Sequence, residues 1–292
     1  MALLRAACTV VLLLLNLAFW ASLVIPAGLT KLVTRGTWRR GVTVAAAHLA
    51  ETWAAWNDRI FDWMLPTVWD VRGVDGIHYD GRYLIISNHV SWVDIFALFR
   101  AFRGHTAFIR FFLKAELIWS PFLGQACWAL DFPFMRRYTP EYLARHPEKR
   151  GSDLATTRKA LRRYRRIPVA ILNFVEGTRF SREKQVDEDS PYAHLLRPRI
   201  GGIAFVLASM GEQLDAMFDV TLAYPGGQVS MWDLVMGRVP RIVIEARRVD
   251  VPAEFLGAGI TEPGPERDRF RQWMDGLWHE KDARLAVLVT SA

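Results

Sequence analysis

Residues 6–30, AACTVVLLLLNLAFWASLVIPAGLT, contain no charged side chain, and this run limits the architecture more than any other. As a helix it reaches roughly 35–40 Å at about 1.5 Å per residue, enough to cross a hydrocarbon core of about 30 Å. Pro26 and Gly28 are expected to shorten or kink that helix. A cleaved signal peptide has an apolar region of ~7–15 residues and a small-residue cleavage site. This run is longer and has no convincing site of that kind, which favours a retained anchor. Lys31, Arg35, Arg39 and Arg40 follow it, against Arg5 and the amino terminus on the other side. The positive-charge bias predicts an inner-membrane protein whose downstream part faces the cytoplasm.

A second apolar pattern follows. Leu49, Trp53, Trp56, Ile60 and Trp63 recur at spacings of three and four, with Glu51, Asn57, Asp58, Arg59 and Asp62 between them. That is an amphipathic helix. Its tryptophans suit a lipid interface, and the same stripe also suits packing against the rest of the protein. Residues 1–69 therefore read as a helical membrane-anchoring region, and 70–292 as a folded domain.

The remainder alternates apolar runs with helical stretches. RYLIIS (82–87), PVAILNFV (168–175), MFDVTLAY (217–224) and RIVIEARRV (241–249) read as strands, with TAFI (106–109) and CWALDF (127–132) as weaker candidates. Helices are expected from about Ser91 to Phe102, over 152–166 and 201–210, and from Pro265 to His279; SREKQVDEDS (181–190) reads as a charged loop. The alternation predicts an α/β domain with a mainly parallel sheet flanked by helices. In such sheets, sites tend to form where strands end and helices begin. Two polar clusters fall at such places: SNHVSWVD (87–94) and EGTR (176–179).

The first cluster has two readings. Ser91 as N-cap with Asp94 three residues on resembles a capping box, which leaves His89 incidental. Alternatively His89 and Asp94 pair. Five residues apart on a regular helix is roughly 140° of rotation, so the pair meets only if His89 sits in the turn and Asp94 points back from the first helical turn. Asp94 would then fix the imidazole tautomer and support the imidazolium, making His89 a general base. In the second cluster Gly177 lets the backbone approach an anion, and Arg179 has the two-pronged geometry for a phosphate; a tight turn with a solvated arginine is the plain alternative. Arg136 and Arg137 add a possible second cationic clamp. The run Arg158, Lys159, Arg162, Arg163, Arg165 and Arg166 reads as a solvated face, or one turned towards anionic lipid.

The net charge of +7 favours an anionic partner: a membrane surface, nucleic acid or a phosphorylated ligand. With only Cys8 and Cys127 there is no disulfide framework and no cysteine-based zinc site, and the seven histidines show no metal-ligand spacing. No Gly-x-Ser-x-Gly nucleophile motif occurs, so a covalent acyl-enzyme is not indicated.

Together these residues resemble the glycerolipid acyltransferase family of the lysophosphatidic acid acyltransferase type. His89, four intervening residues and Asp94 match its first block, and PFMRR (133–137) its second, with Arg137 the acceptor-binding arginine; Arg136 fits less well. EGTR matches the third block and VTLAYP (220–225), with Pro225, resembles the fourth. ACWALDFPFMRRY and NFVEGTRFSREK bring it nearest to the bacterial YihG-type branch, which is similar to lysocardiolipin acyltransferases. Many lysophosphatidic acid acyltransferases have proline before the glutamate and serine after the arginine, where Val175 and Phe180 stand here. That departure bears on which acceptor is used.

The resemblance implies a glycerolipid acyltransferase fold. It implies that His89 deprotonates a lysophospholipid hydroxyl, which attacks the thioester of acyl-CoA or acyl carrier protein, while Asp94 orients the base. Arg137, Gly177 and Arg179 would hold the acceptor phosphate, with Glu176 and Thr178 shaping that site. The donor is a co-substrate; no separate cofactor, metal or nucleic acid is implied, and membrane phospholipids are the expected surroundings. Lysophosphatidic acid is the leading acceptor, with lysophosphatidylglycerol or lysocardiolipin as alternatives. A thioesterase passing the acyl group to water keeps the same site, and a non-catalytic lipid-binding protein needs none of it.

Overall fold

The computed structural model describes residues 1–135, 145, 161, 164, 167–227 and 229–290, and it opens with two long helices, α1 (Ala2–Thr30) and α2 (Gly36–Met64). Strands β1 (Val68–Arg72), β2 (Arg82–Ser87) and β3 (Ile109–Phe111) are followed by a short separate pair, β4 (Leu113–Lys114) and β5 (Phe134–Met135), then by β6 (Val169–Phe174), β7 (Ala216–Ala223) and β8 (Arg241–Val249). The six longer strands join in the order β1-β8-β7-β2-β6-β3. Every neighbouring pair in that sheet is parallel except β7 with β8.

The middle strands are near-continuous apolar runs because helices cover both faces of the sheet. Tyr83 and Ile85 of β2 face a core shared with α2 and with α3 (Val93–Phe102). Leu84 and Ile86 face the opposite core, built with α6 (Gly201–Met210) and α8 (Pro265–Thr290). The expected mainly parallel α/β sheet is thus the observed one.

Local differences have local causes. CWALDF does not form a strand: Cys127–Ala129 belong to α4 (Leu123–Ala129), whose buried Ala126, Cys127 and Ala129 give it a small-residue face. Against that face packs Gly28 of α1, where an added Cβ would lie 2.3 Å from the Ala129 Cβ. TAFI enters the sheet only at Ile109. SREKQVDEDS carries a short helix, α5 (Arg182–Asp187), with the Ser181 hydroxyl accepting from the Lys184 N–H at its start. A further short helix, α7 (Met231–Val235), precedes β8. The last helix runs past His279 to Thr290, with Trp278, Lys281, Leu285 and Leu288 buried along it. The helix expected over 152–166 lies outside the described residues apart from Leu161 and Tyr164, as do Arg136, Arg137 and the basic run from Arg158 to Arg166.

Pro26 sits inside α1 without ending it. By length and composition α1 is the one helix among the described residues able to cross a membrane. Yet both of its ends are tied to the α/β domain. The Arg5 guanidinium donates to the Met236 carbonyl at 2.8 Å, and the Lys31 ammonium meets Asp131 at 2.7 Å. Lys31, counted in the sequence among the flanking charges, is therefore buried and paired. Asn16 ties α1 to α2 through the Trp53 carbonyl and the Asn57 side chain. The opposite side of α1 exposes Leu4, Val11, Leu14, Leu15 and Phe19. The aromatic stripe of α2 splits: Ile60 is buried and Trp53 packs on Phe99, while Trp56 and Trp63 stand outward, 6.2 Å apart.

Candidate active site

The register of the sheet brings the two polar clusters together. Ser87 lies opposite Phe174, so the turns leaving β2 and β6 start side by side. Two backbone bonds stitch them: Val175 N–H to the Ser87 carbonyl at 3.1 Å, and Phe180 N–H to the His89 carbonyl at 2.7 Å. Buried Asn88 fastens the first turn to β7, donating to the Leu222 carbonyl and accepting from the Leu222 N–H, both at 2.9 Å. His89 is therefore fixed in the strand-to-helix turn, the position a pairing with Asp94 requires.

The pairing is present. His89 Nδ1 lies 2.8 Å from Asp94 Oδ2, and Asp94 is fully buried. The same oxygen accepts from the N–H groups of Val90 and Ser91, at 2.6 and 2.9 Å. The other oxygen, Oδ1, accepts from the Tyr224 hydroxyl. The helix begins at Val93, two residues after the expected cap, and the Ser91 hydroxyl accepts from the Val93 N–H at 3.2 Å. The His89–Asp94 contact and a cap-like turn at Ser91 thus coexist, because one carboxylate oxygen meets the imidazole and accepts from the turn's N–H groups. With Nδ1–H donated to Asp94, Nε2 carries the basic lone pair. The ring lies flat on Phe174, with centroids 3.9 Å apart and an interplanar angle of 16°.

Tyr224 joins the site through the fold and not through either polar cluster. It stands just past β7, which neighbours β2 in the sheet, and its burial against Asp94 drives its hydroxyl well above the ordinary tyrosine range. The signal available in sequence was a tyrosine at the end of a buried strand, inside VTLAYP.

Glu176 is placed differently from the other members of EGTR. Its Oε1 accepts from the His89 N–H at 2.9 Å and its Oε2 from the Leu196 N–H at 3.2 Å, with 1% of the residue exposed. It therefore acts on the site through the backbone of His89. Burial pushes its carboxyl up to about 8, against the opposing pull of the two amide donors and Lys281. The unfolded carboxyl ionises near 4.5. Between those values the unfolded state gives up its proton first, so this group's stabilisation is full at low pH and is lost as pH rises through about 8. Melting measured from about pH 5 to about pH 8 should fall more steeply for wild type than for Glu176→Gln, which cannot ionise.

Gly177 has φ +67°, a left-handed conformation that favours glycine; the nearest atom to an added Cβ would be Cδ of the flexible Arg199 side chain at 3.0 Å, which can move aside, so conformation rather than space calls for glycine. Its own N–H closes the turn onto the Phe174 carbonyl at 2.9 Å rather than pointing at an anion. Lys184 braces the next two residues, donating to the Thr178 hydroxyl at 2.8 Å and the Arg179 carbonyl at 2.9 Å. The Arg179 guanidinium is exposed, lies 5.2 Å from the centre of the Trp92 ring, and has no hydrogen-bond acceptor or ion-pair partner among the described residues. Arg137 lies outside the described residues.

Beside this polar end lies an apolar cavity of about 230 Å³ with no charged side chain in its lining. Trp92, Ile95 and Phe96 from the α3 end form part of its wall, and Leu17, Trp20 and Val24 of α1 form another. A base, an exposed cation and an apolar cavity thus share one edge of the sheet. That arrangement suits proton removal from an amphiphile that carries both an anionic group and an alkyl chain.

A family model described as acyltransferase matches residues 68–223, more than half of the chain. Lysocardiolipin acyltransferase 1 of Danio rerio is 27% identical over 256 residues, covering 82% of this chain and 60% of that protein. The 1-acyl-sn-glycerol-3-phosphate acyltransferase epsilon of Mus musculus is 24% identical, over 69% of this chain and 56% of its own length. The chain thus spans about 60% of the length of the curated relatives it matches. Among solved structures, the 1-acyl-sn-glycerophosphate (LPA) acyltransferase PlsC of Thermotoga maritima superposes with a TM-score of 0.53 over 98% of both chains, at 17% identity, a likeness of fold.

Proposed function

From its membership of the acyltransferase family, to which this chain belongs, we propose that it transfers a fatty acyl group from acyl-CoA or acyl carrier protein to the free hydroxyl of a lysophospholipid. Lysophosphatidic acid, giving phosphatidic acid, is the first acceptor to test; lysocardiolipin is the alternative that the lysocardiolipin relatives support, and lysophosphatidylglycerol is a further one. The observation that carries the reading is the His89–Asp94 pair, with Nε2 left as base beside an apolar cavity and an exposed arginine.

The steps balance without a covalent enzyme intermediate. His89 Nε2 takes the proton of the acceptor hydroxyl as its oxygen attacks the thioester carbonyl. The buried Asp94 carboxylate stabilises the imidazolium so formed. The tetrahedral adduct collapses with loss of the thiolate, which takes the proton from His89, leaving an ester and a free thiol. The cavity receives an alkyl chain, and Arg179 with Arg137 meets the acceptor phosphate.

Purified protein given labelled acyl-CoA and a panel of lysophospholipids should form labelled diacyl lipid only when an acceptor is present. Free fatty acid released at the same rate without acceptor would instead establish a thioesterase, and no turnover with any acceptor would leave a lipid-binding protein. Arg179→Ala and Arg137→Ala should each lower use of a phosphate-bearing acceptor roughly 10- to 150-fold, the factor for about 1.5–3 kcal/mol lost with a charge-assisted hydrogen bond. The loss should be smaller with monoacylglycerol; equal losses with both acceptors would remove the clamp from the mechanism.

For attachment, the ties at both ends of α1 favour a helix lying along the domain with its leucine face in one leaflet, over one that carries its two ends to opposite sides. Apolar burial is not screened by salt, so the protein should stay with membranes through high-salt washing. Release by salt would overturn the anchor.

A further inference from the structure

Trp92 stands between the two regions that the proposed reaction assigns to its substrates. It is the residue before α3, three positions after His89, and 49% of it is exposed. One face of the indole carries the Arg179 guanidinium at 5.2 Å. The same side chain helps wall the apolar cavity, beside Ile95 and Phe96. A guanidinium held over an aromatic face is attracted to the ring without being neutralised by it, so the ring positions Arg179 while its charge stays available to an anion. No carboxylate among the described residues holds Arg179 in place; the ring and the Lys184 bond to its carbonyl do.

We propose that Trp92 is a specificity-determining residue shared by both substrates, its face setting Arg179 for the acceptor's phosphate and its ring forming part of the wall that receives the acyl chain. The proposal rests on the reading of Arg179 as the phosphate clamp and of the cavity as the acyl site. It adds a coupling that neither assignment contains. A chain that displaces the ring also moves the guanidinium, and a change at Arg179 releases the ring and reshapes the cavity. The two selectivities are then linked, and each must respond to a substitution in the other's site.

The test compares full-length wild type, Arg179→Ala, Trp92→Phe, Trp92→Leu and the Trp92→Leu/Arg179→Ala double variant. Acyl-CoAs of graded chain length are supplied with lysophosphatidic acid or with monoacylglycerol. Arg179→Ala, although it alters the phosphate clamp, should shift the long-to-short acyl preference by roughly two- to fivefold, the equilibrium factor of an exposed cation–π pair. Trp92→Leu should weaken the preference for the phosphate-bearing acceptor by a similar factor, and Trp92→Phe should do so less. The double variant should be no worse in either selectivity than the worse single one. A second readout needs no turnover: displacement of a fluorescent fatty acid by the same acyl-CoAs, in wild type and Arg179→Ala. If wild type acylates neither acceptor, the proposed reaction fails while this readout still reports the link. An Arg179→Ala protein with the wild-type chain-length profile in displacement, or additive effects in the double variant, would overturn the shared role of Trp92.

Discussion

His89→Ala should lower the turnover of lysophospholipid acylation by about 10²–10⁴-fold, because water must then accept the hydroxyl proton unaided. Acceptor binding should change little, since Arg179 holds its place through Trp92 and Lys184 and not through the imidazole. The fold should also survive. The backbone bonds of His89, from its N–H to Glu176 and from the Phe180 N–H to its carbonyl, do not involve the side chain. What goes is the ring's stacking on Phe174, of about 0.5–1.5 kcal/mol, and one of four donors to Asp94. A small drop in melting temperature alongside a large drop in turnover is the expected pattern. Comparable turnover in wild type and His89→Ala would show that another group takes the proton.

The parts of this site that were legible in sequence are those that local chemistry reports. RYLIIS and PVAILNFV are apolar on both faces because their strands lie mid-sheet, and each is followed at once by polar residues that cannot continue a buried strand. That places His89, Asp94 and Arg179 at strand ends without knowledge of the fold. Tyr224 is different. Its partner Asp94 is 130 residues away, and only the position of β7 beside β2 brings them together. Lys31 likewise reads as a membrane-flanking charge until Asp131, 100 residues on, is seen to pair with it. Glu176 belongs to a motif that points to anion binding, but its carboxylate turns inward to two amides. CWALDF has the composition of a strand, yet its first three residues end α4, and there Ala129 packs closely against Gly28 of α1. In each of these cases the deciding partner is remote in sequence.

Asp94→Asn separates the two jobs that one carboxylate performs. If the amide oxygen occupies the Oδ2 position, it can still accept from the Val90 and Ser91 N–H groups and from His89 Nδ1–H. The amide nitrogen then faces Tyr224, whose hydroxyl can turn to accept. The turn and the imidazole orientation are kept, and the fold should be retained. What disappears is the negative charge beside the imidazolium. Two unit charges about 4 Å apart attract by about 4 kcal/mol at an effective dielectric constant of 20, so the expected loss of turnover is on the order of 10³-fold. If Asp94 served only as a helix cap, the same substitution would leave turnover near normal. Acylation of a lysophospholipid measured beside thermal melting distinguishes these outcomes. A folded Asp94→Asn protein with wild-type turnover would sink the paired-base mechanism, whereas a folded, nearly inactive one would assign the carboxylate to the proton transfer itself.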